Sequence, residues 1–283
     1  MTDGFLVRPM SRAELDLAVD WAAAEGWNPG LADATAFHAA DPGGFLVGLR
    51  ENTPVACISV VRYGSDFGFL GFYIAHPQAR GQGYAIQVWR AGMARLAGRN
   101  IGLDGVPAQQ DNYRKSGFTL AWRNIRFEGV PPAASAPPAG VAVVDARTLP
   151  FDRIAAFDRR FFPAPRDAFL SLWMALPGHR ARVALRDGEI AGLGVARPCR
   201  CGTKIGPLYA ADGDIATALV GDLCAIAGAD PAIIDVPEVN KAAVTMVESY
   251  GFAPAFETAR MYTGPVPGID LRNLFGVTTF ELG

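Results

Sequence analysis

The phrase NYRKSGF at residues 112–118 returns as VESYGF at residues 247–252. What precedes each copy also repeats, in the same order. FLVGLRENTPVACISVVRYG (45–64) reads as strand, turn at Glu51–Pro54, strand; RVALRDGEIAGLGVARPC (182–199) reads the same, with Asp187-Gly188 as the turn. The apolar runs FLGFYIA (69–75) and IGPLYA (205–210) come next. Each leads into a helical stripe: Val88, Gly92 and Leu96 in one half, Ile215, Leu219 and Leu223 in the other. Short strands follow, NIGLDGV (100–106) and AIIDVP (232–237), and then the two Gly-Phe phrases. Similarity kept in a fixed order restricts the chain to two copies of one supersecondary unit.

That unit mixes strands with helices, so the expected class is α+β with a mixed sheet, built twice. Between the copies lies GVPPAASAPPAG (129–140), uncharged and without periodicity. Such a segment is extended and semi-rigid. The expected division is 1–128, a linker at 129–140, and 141–283, with 283 residues enough for two sizeable cores.

Composition narrows the function. A net charge of −2 offers no general attraction to nucleic acid or to an anionic membrane. No apolar run reaches the roughly 20 residues that span a bilayer, and MTDGFLVRPM lacks the basic start and apolar core of a signal peptide. The expectation is a cytoplasmic protein with neither nucleic acid nor membrane as partner. Cys57 and Cys224 sit in apolar runs as core residues, and Cys199-Arg-Cys201 has no Cys or His pair nearby, so no metal site is expected.

The stretch that carries chemistry is FYIAHPQARGQGYAIQVW (72–89). An apolar strand ends near Ala75, His76-Pro77 breaks it, and Arg80-Gly81-Gln82-Gly83-Tyr84-Ala85 opens a helix. Glycines let consecutive N–H groups turn toward one point, and a helix N-terminus adds unpaired donors and partial positive charge. The turn is a candidate pyrophosphate cradle. A GxG alone equally describes an ordinary strand–helix turn. The third glycine of a dinucleotide fold and the Gly-Lys-Ser/Thr of a P-loop are absent.

The whole order, from apolar strand through His-Pro, Arg-Gly-x-Gly-x-Ala and amphipathic helix to Asn-Tyr-x-x-x-Gly-Phe, resembles the GCN5-related N-acetyltransferase (GNAT) superfamily. The full chain resembles a two-domain subgroup whose second half is degenerate. The resemblance implies acetyl-CoA as cosubstrate, with its pyrophosphate held at Arg80, Gly83 and Ala85 within the turn that also contains Gly81, Gln82 and Tyr84. It implies pantetheine pairing with the backbone around Tyr73 and Ile74 on a splayed strand. Asn112 and Tyr113 match the family's asparagine and tyrosine, although here the two are adjacent. The implied activity is N-acetylation of a primary amine on a small-molecule or amino-acid-like acceptor, by a monomer or homodimer.

A phenol with a pKa of about 10 is protonated at neutral pH and can donate to a thiolate leaving group of about 8.5. Tyr113 is therefore the expected general acid. Asp104 is the first choice for the base, with His76 and Glu25 as alternatives. Trp27 and Asn28, in EGWNPG (25–30), are candidate acceptor-binding residues, and the arginine–aromatic stretch 158–173 is either a pocket wall or a helix with a solvated face. In the second half ADGDIATAL replaces the glycine turn, with Asp212 and Asp214 where phosphate would sit, and Val247 replaces the tyrosine. Two losses in one unit point to a half that supports rather than catalyses. Two other readings stand beside this one: a non-catalytic acyl-CoA sensor, and a tandem enzyme similar to mycothiol synthase, in which the second half is the catalytic one.

Overall fold

The computed structural model describes residues 4–228 and 230–283. The first repeat runs β1 (Phe5–Pro9), α1 (Arg12–Ala24), α2 (Asp33–Ala40), β2 (Phe45–Arg50), β3 (Thr53–Tyr63), β4 (Phe67–Ala75), α3 (Tyr84–Arg95), β5 (Asn100–Gly105), α4 (Gln110–Lys115) and β6 (Thr119–Gly129). The second runs β7 (Val141–Asp145), α5 (Phe151–Asp158), α6 (Asp167–Ala175), β8 (Arg180–Arg186), β9 (Glu189–Pro198), β10 (Thr203–Ala210), α7 (Gly213–Ala227), β11 (Ala232–Pro237), α8 (Lys241–Ser249) and β12 (Ala253–Tyr262), and a tail strand β13 (Leu274–Gly276) follows. Element for element the two repeats agree. Local chemistry explains several boundaries. Ser11 and Glu14 form a reciprocal capping box on α1. The equivalent hairpins β2–β3 and β8–β9 both turn on two residues of positive φ, Glu51-Asn52 and Asp187-Gly188.

The repeats do not form separate sheets. The strand order is β1-β2-β3-β4-β5-β12-β6-β11-β10-β9-β8-β7, with β13 beside β10. Each repeat thus gives its last strand to the other: β12 pairs with β5, and β6 pairs with β11. The linker marks where the chain passes from one repeat to the next, and the sheet runs on across that point. Each exchanged strand is latched the same way. Arg260 on β12 stands opposite Asp104 on β5 and pairs with it at 2.6 Å. Arg126 on β6 stands opposite Asp235 on β11 and pairs with it at 2.7 Å. The side chains of both pairs are buried. Both arginines lie eight residues beyond a Gly-Phe phrase, so the latch belongs to the repeat.

A common core joins the halves further. Phe37 of α2 stacks on Trp173 of α6 with ring centroids 6.0 Å apart, and one apolar cluster takes residues from α1, α2, α5, α6 and both ends of the sheet. The loop after α1 and the turn after β9 clasp each other. Asn28 accepts from the Cys201 N–H at 2.9 Å and donates to the Cys201 carbonyl at 2.8 Å. The linker crosses α7 at Gly221, where an added Cβ would lie 3.1 Å from Ala134.

The tail is wholly buried from Leu274 to Gly283. β10 and β11 are parallel and paired only over Thr203–Ile205 and Ala232–Ile234. Beyond that they separate, and β13 pairs with β10 in the gap, with the Val277 N–H donating to the Asp235 carbonyl at 2.9 Å. The tail then continues into the first repeat.

Candidate active site

The first repeat opens the same gap and leaves it clear of strands. β4 and β5 are parallel and pair from Phe67–Asn100 to Leu70–Leu103. β4 then bulges: Phe72 takes φ of 45°, and the register against β3 shifts between Cys57 and Ser59. The two strands diverge, and a cavity of about 410 Å³ fills the V between them. The edge of β4 that faces β5 has no strand partner over Gly71–Ala75, so its backbone groups are available to a ligand.

At one end of the cavity stands the glycine turn. Gly81 and Gly83 have φ of 74° and 80°, and no atom lies within 4 Å of an added Cβ on either. Gly83 is the N-cap of α3 and supplies no capping side chain, so the N–H groups of the first turn are left for a ligand. Arg80 lines the cavity, held by Glu25 and by the Ala75 carbonyl at 3.2 Å. Open donors, a helix N-terminus and an arginine fit a pyrophosphate. The matching place in the second repeat is closed. Asp212 caps α7 through the Ile215 N–H at 2.9 Å and pairs with Arg186 at 2.8 Å, so a carboxylate holds the position an anion would take. β13 fills the corresponding gap between the strands.

Tyr113 reaches the cavity from α4. Its ring stacks on Trp89 at 5.7 Å and packs so close to Gly105 that a Cβ there would meet the ring at 2.2 Å. Burial, with a smaller contribution from neighbouring Tyr73, pushes the phenol above its usual value. Tyr113 is therefore protonated throughout the working range. Burial raises Tyr73 as well. Tyr73, Ile74, Ala85 and Trp27 all line the cavity.

Other sequence-derived residues are placed differently. Asn112 lies on the exposed side of α4 and donates to Gln109 Oε1 at 2.7 Å; Gln109, not Asn112, meets the cavity. Asn28 is spent on the clasp with Cys201. Tyr84 stacks on Phe5 at 4.9 Å and Gln82 bonds the Gln78 carbonyl, so neither puts a side chain in the cavity. Asp104 touches the cavity but is not a free base. Both its oxygens bond Arg260, and Asn124 adds a bond at 2.8 Å. Burial raises its carboxyl, and Arg260 and Asn124 oppose the rise. Asp235 does the same work beside the gap that β13 fills, which marks the pair as a strand latch. Glu25 is paired with Arg80, and His76 rests against Trp21. The stretch 158–173 does not line this cavity: buried Arg166 pairs with Asp158 and bonds Thr278 and the Gly283 carbonyl, anchoring the tail. Cys199 is buried and Cys201 exposed, and among the described residues no cluster of His, Cys, Asp and Glu is arranged to hold a metal ion. No described helix is long and apolar enough to cross a membrane.

Part of the cavity wall was not legible from the sequence. Phe256 and Thr258 of β12 and Phe280 and Glu281 of the tail line it, all from the second repeat. Buried polar Glu281 inside an apolar ending was the one available signal.

Comparison with known proteins agrees with this geometry. Residues 13–118 match the acetyltransferase (GNAT) family, and residues 154–276 match an acetyltransferase (GNAT) domain. The holothin acyltransferase of Pseudoalteromonas sp. (strain SANK 73390) is 31% identical over 278 residues, 98% of this chain and 94% of that protein. The chain belongs to the GNAT superfamily as a tandem acyltransferase. Solved structures share the fold of this tandem GNAT protein. A putative acetyltransferase from Pyrococcus horikoshii aligns over 100% of this chain and 97% of its own, with TM-score 0.84 and 20% identity. A tandem GNAT protein from the clavulanic acid biosynthesis pathway aligns over 93% and 99%, with TM-score 0.65 and 15% identity.

Proposed function

We propose that the protein transfers the acetyl group of acetyl-CoA to a primary amine of a small molecule, using the cavity of the first repeat. The observation that carries this reading is the pairing of an uncapped glycine turn with a tyrosine in one strand gap. The second repeat lacks both and has its gap filled, which argues against an enzyme that works from the second half. The likeness to the holothin acyltransferase supports transfer of an acyl group to an acceptor.

The pyrophosphate would rest on Arg80 and the N–H groups after Gly81 and Gly83, and the pantetheine along the free edge at Tyr73 and Ile74. The amine nitrogen attacks the thioester carbon. A backbone N–H of the bulged β4 can hold the oxyanion, a contribution typically of about 10²–10³ in rate. As the C–S bond breaks, Tyr113 donates its phenolic proton to the sulfur.

Thiol release from acetyl-CoA, and from longer acyl-CoAs in parallel, against a panel of small amines tests the reading. Amine-dependent release with acetyl-CoA is expected. Tight acetyl-CoA binding without release for any amine would leave only the sensor reading, and preference for a longer acyl group would replace the donor.

A further inference from the structure

Among the carboxylates of the cavity wall, Glu25 and Asp104 are held in ion pairs and Glu281 is not. Glu281 is 4% exposed, lines the cavity, and has no ion-pair or hydrogen-bond partner for its carboxylate among the described residues. Its backbone, by contrast, is pinned from both repeats. Ser59 bonds the Glu281 carbonyl at 3.4 Å, Tyr63 the Leu282 carbonyl at 3.1 Å, and Arg166 the Gly283 carbonyl at 3.1 Å. Arg197 bonds the Thr278 carbonyl at 3.2 Å. A segment so fixed brings Glu281 to the cavity wall.

Resting on the acyl-transfer reading above, we propose that Glu281 is the general base for the acceptor amine, carried into the first repeat's site by the tail of the second. The neutral amine nitrogen forms its bond to the thioester carbon and gives its proton to a Glu281 oxygen. The C–S bond breaks, and the sulfur takes the Tyr113 proton. Glu281 then loses its proton to water and Tyr113 regains one, which returns both groups to their starting state. Phe256, Phe280 and Thr258 line the same cavity. The acceptor that fits carries its amine on an apolar body that packs on the two rings.

Several charges act on Glu281. Burial pushes its carboxyl upward, while Lys204 on β10, Arg197 on β9 and Arg126 on β6 pull it down, and Asp33 on α2 adds to the rise. Asp104, Glu25 and Tyr113 also border the cavity; the two carboxylates are held in ion pairs and the phenol stays protonated.

The test compares full-length protein with Glu281→Gln and Glu281→Asp, using the best amine from the panel. Glu281→Gln is expected to lower kcat by about 10²-fold or more and to remove the acidic limb of the kcat–pH profile. Acetyl-CoA affinity by calorimetry and the thermal midpoint should stay unchanged, and Glu281→Asp should recover part of the rate with the limb restored. A retained acidic limb with kcat within about threefold overturns the proposal, as does a change confined to the KM of the amine, which would make Glu281 a binding group. Wild-type protein that releases no thiol overturns the acyl-transfer reading and the base together, whereas an active wild type with an unaffected Glu281→Gln overturns the base alone.

Discussion

The carbonyl oxygen of Glu281 lies 2.3 Å from the point that a Cβ on Gly71 would occupy. Gly71 sits where β4 leaves β5, so the missing side chain is what lets the tail enter the gap beside the cavity. The second repeat has the same device, with Gly206 2.5 Å (at the would-be Cβ) from the Val277 carbonyl. Backbone cannot swing aside as a long side chain can. Gly71→Ala should therefore lower stability by about 1–3 kcal/mol and displace Glu281, with activity falling further than the folded fraction does. Gly213→Ala, at the start of α7 with nothing within 4 Å, is the control and should be neutral or slightly stabilising. Denaturant midpoints with thiol-release rates measure both. A Gly71→Ala protein with wild-type stability would mean that the tail is not held there.

Tyr113→Phe keeps the ring that packs on Trp89 and against Gly105 and removes only the hydroxyl. Acetyl-CoA affinity and thermal midpoint should hold, while kcat falls by about 10²–10⁴ if the phenol supplies the leaving-group proton. Calorimetry paired with steady-state rates separates the two. An unchanged kcat would take the acid role from Tyr113.

Asp104→Asn and Asp235→Asn make a matched pair. Each leaves a buried arginine without its countercharge, and breaking such a pair costs about 3–5 kcal/mol. Both variants should lose stability to a similar degree, although only Asp104 borders the cavity. The kcat of the folded Asp104→Asn fraction should stay near wild type. A large kcat loss in a stable Asp104→Asn protein would restore Asp104 as the base.

The contrast between these residues shows what the sequence could carry. The glycine turn, Tyr113 and the Gly-Phe phrases are local: a few consecutive residues set a backbone path and a side chain, and their order names the unit. The loss of the second cradle was equally local, since Asp212 caps its own helix. Strand exchange was not. Both repeats offer the same last strand to the same kind of edge, and nothing in the hydrophobic period tells β6 to choose β11 over β5. That choice appears only in paired positions such as Arg126 with Asp235, which are far apart in the chain. Asp104 looked like a base because a carboxylate on a short strand beside the cradle has the right address; its partner arrives from 156 residues away. Glu281 was missed for the same reason, because the tail reaches the cavity only after crossing the second repeat.

Acid should destabilise the protein through His179. The ring is buried against Trp173 at 5.1 Å, bonds the Trp173 carbonyl through Nδ1 at 2.7 Å, and leaves Nε2 without a partner among the described residues. Burial first, and then the nearby Arg197 charge, lower its pKa to about 4 from an ordinary 6.5. The folded protein holds the ring neutral down to about 4, whereas the unfolded chain takes up a proton near 6.5. Between those values the unfolded state binds the extra proton, so stability falls as pH falls, by up to about 1.4 kcal/mol per pH unit and about 3 kcal/mol in all. Above about 6.5 this contribution is complete and flat. Denaturant midpoints from pH 8 to 4.5 should show the decline in wild type and a shallower one in His179→Gln, which cannot take up the proton. Parallel curves for the two proteins would show that another group governs the acid response.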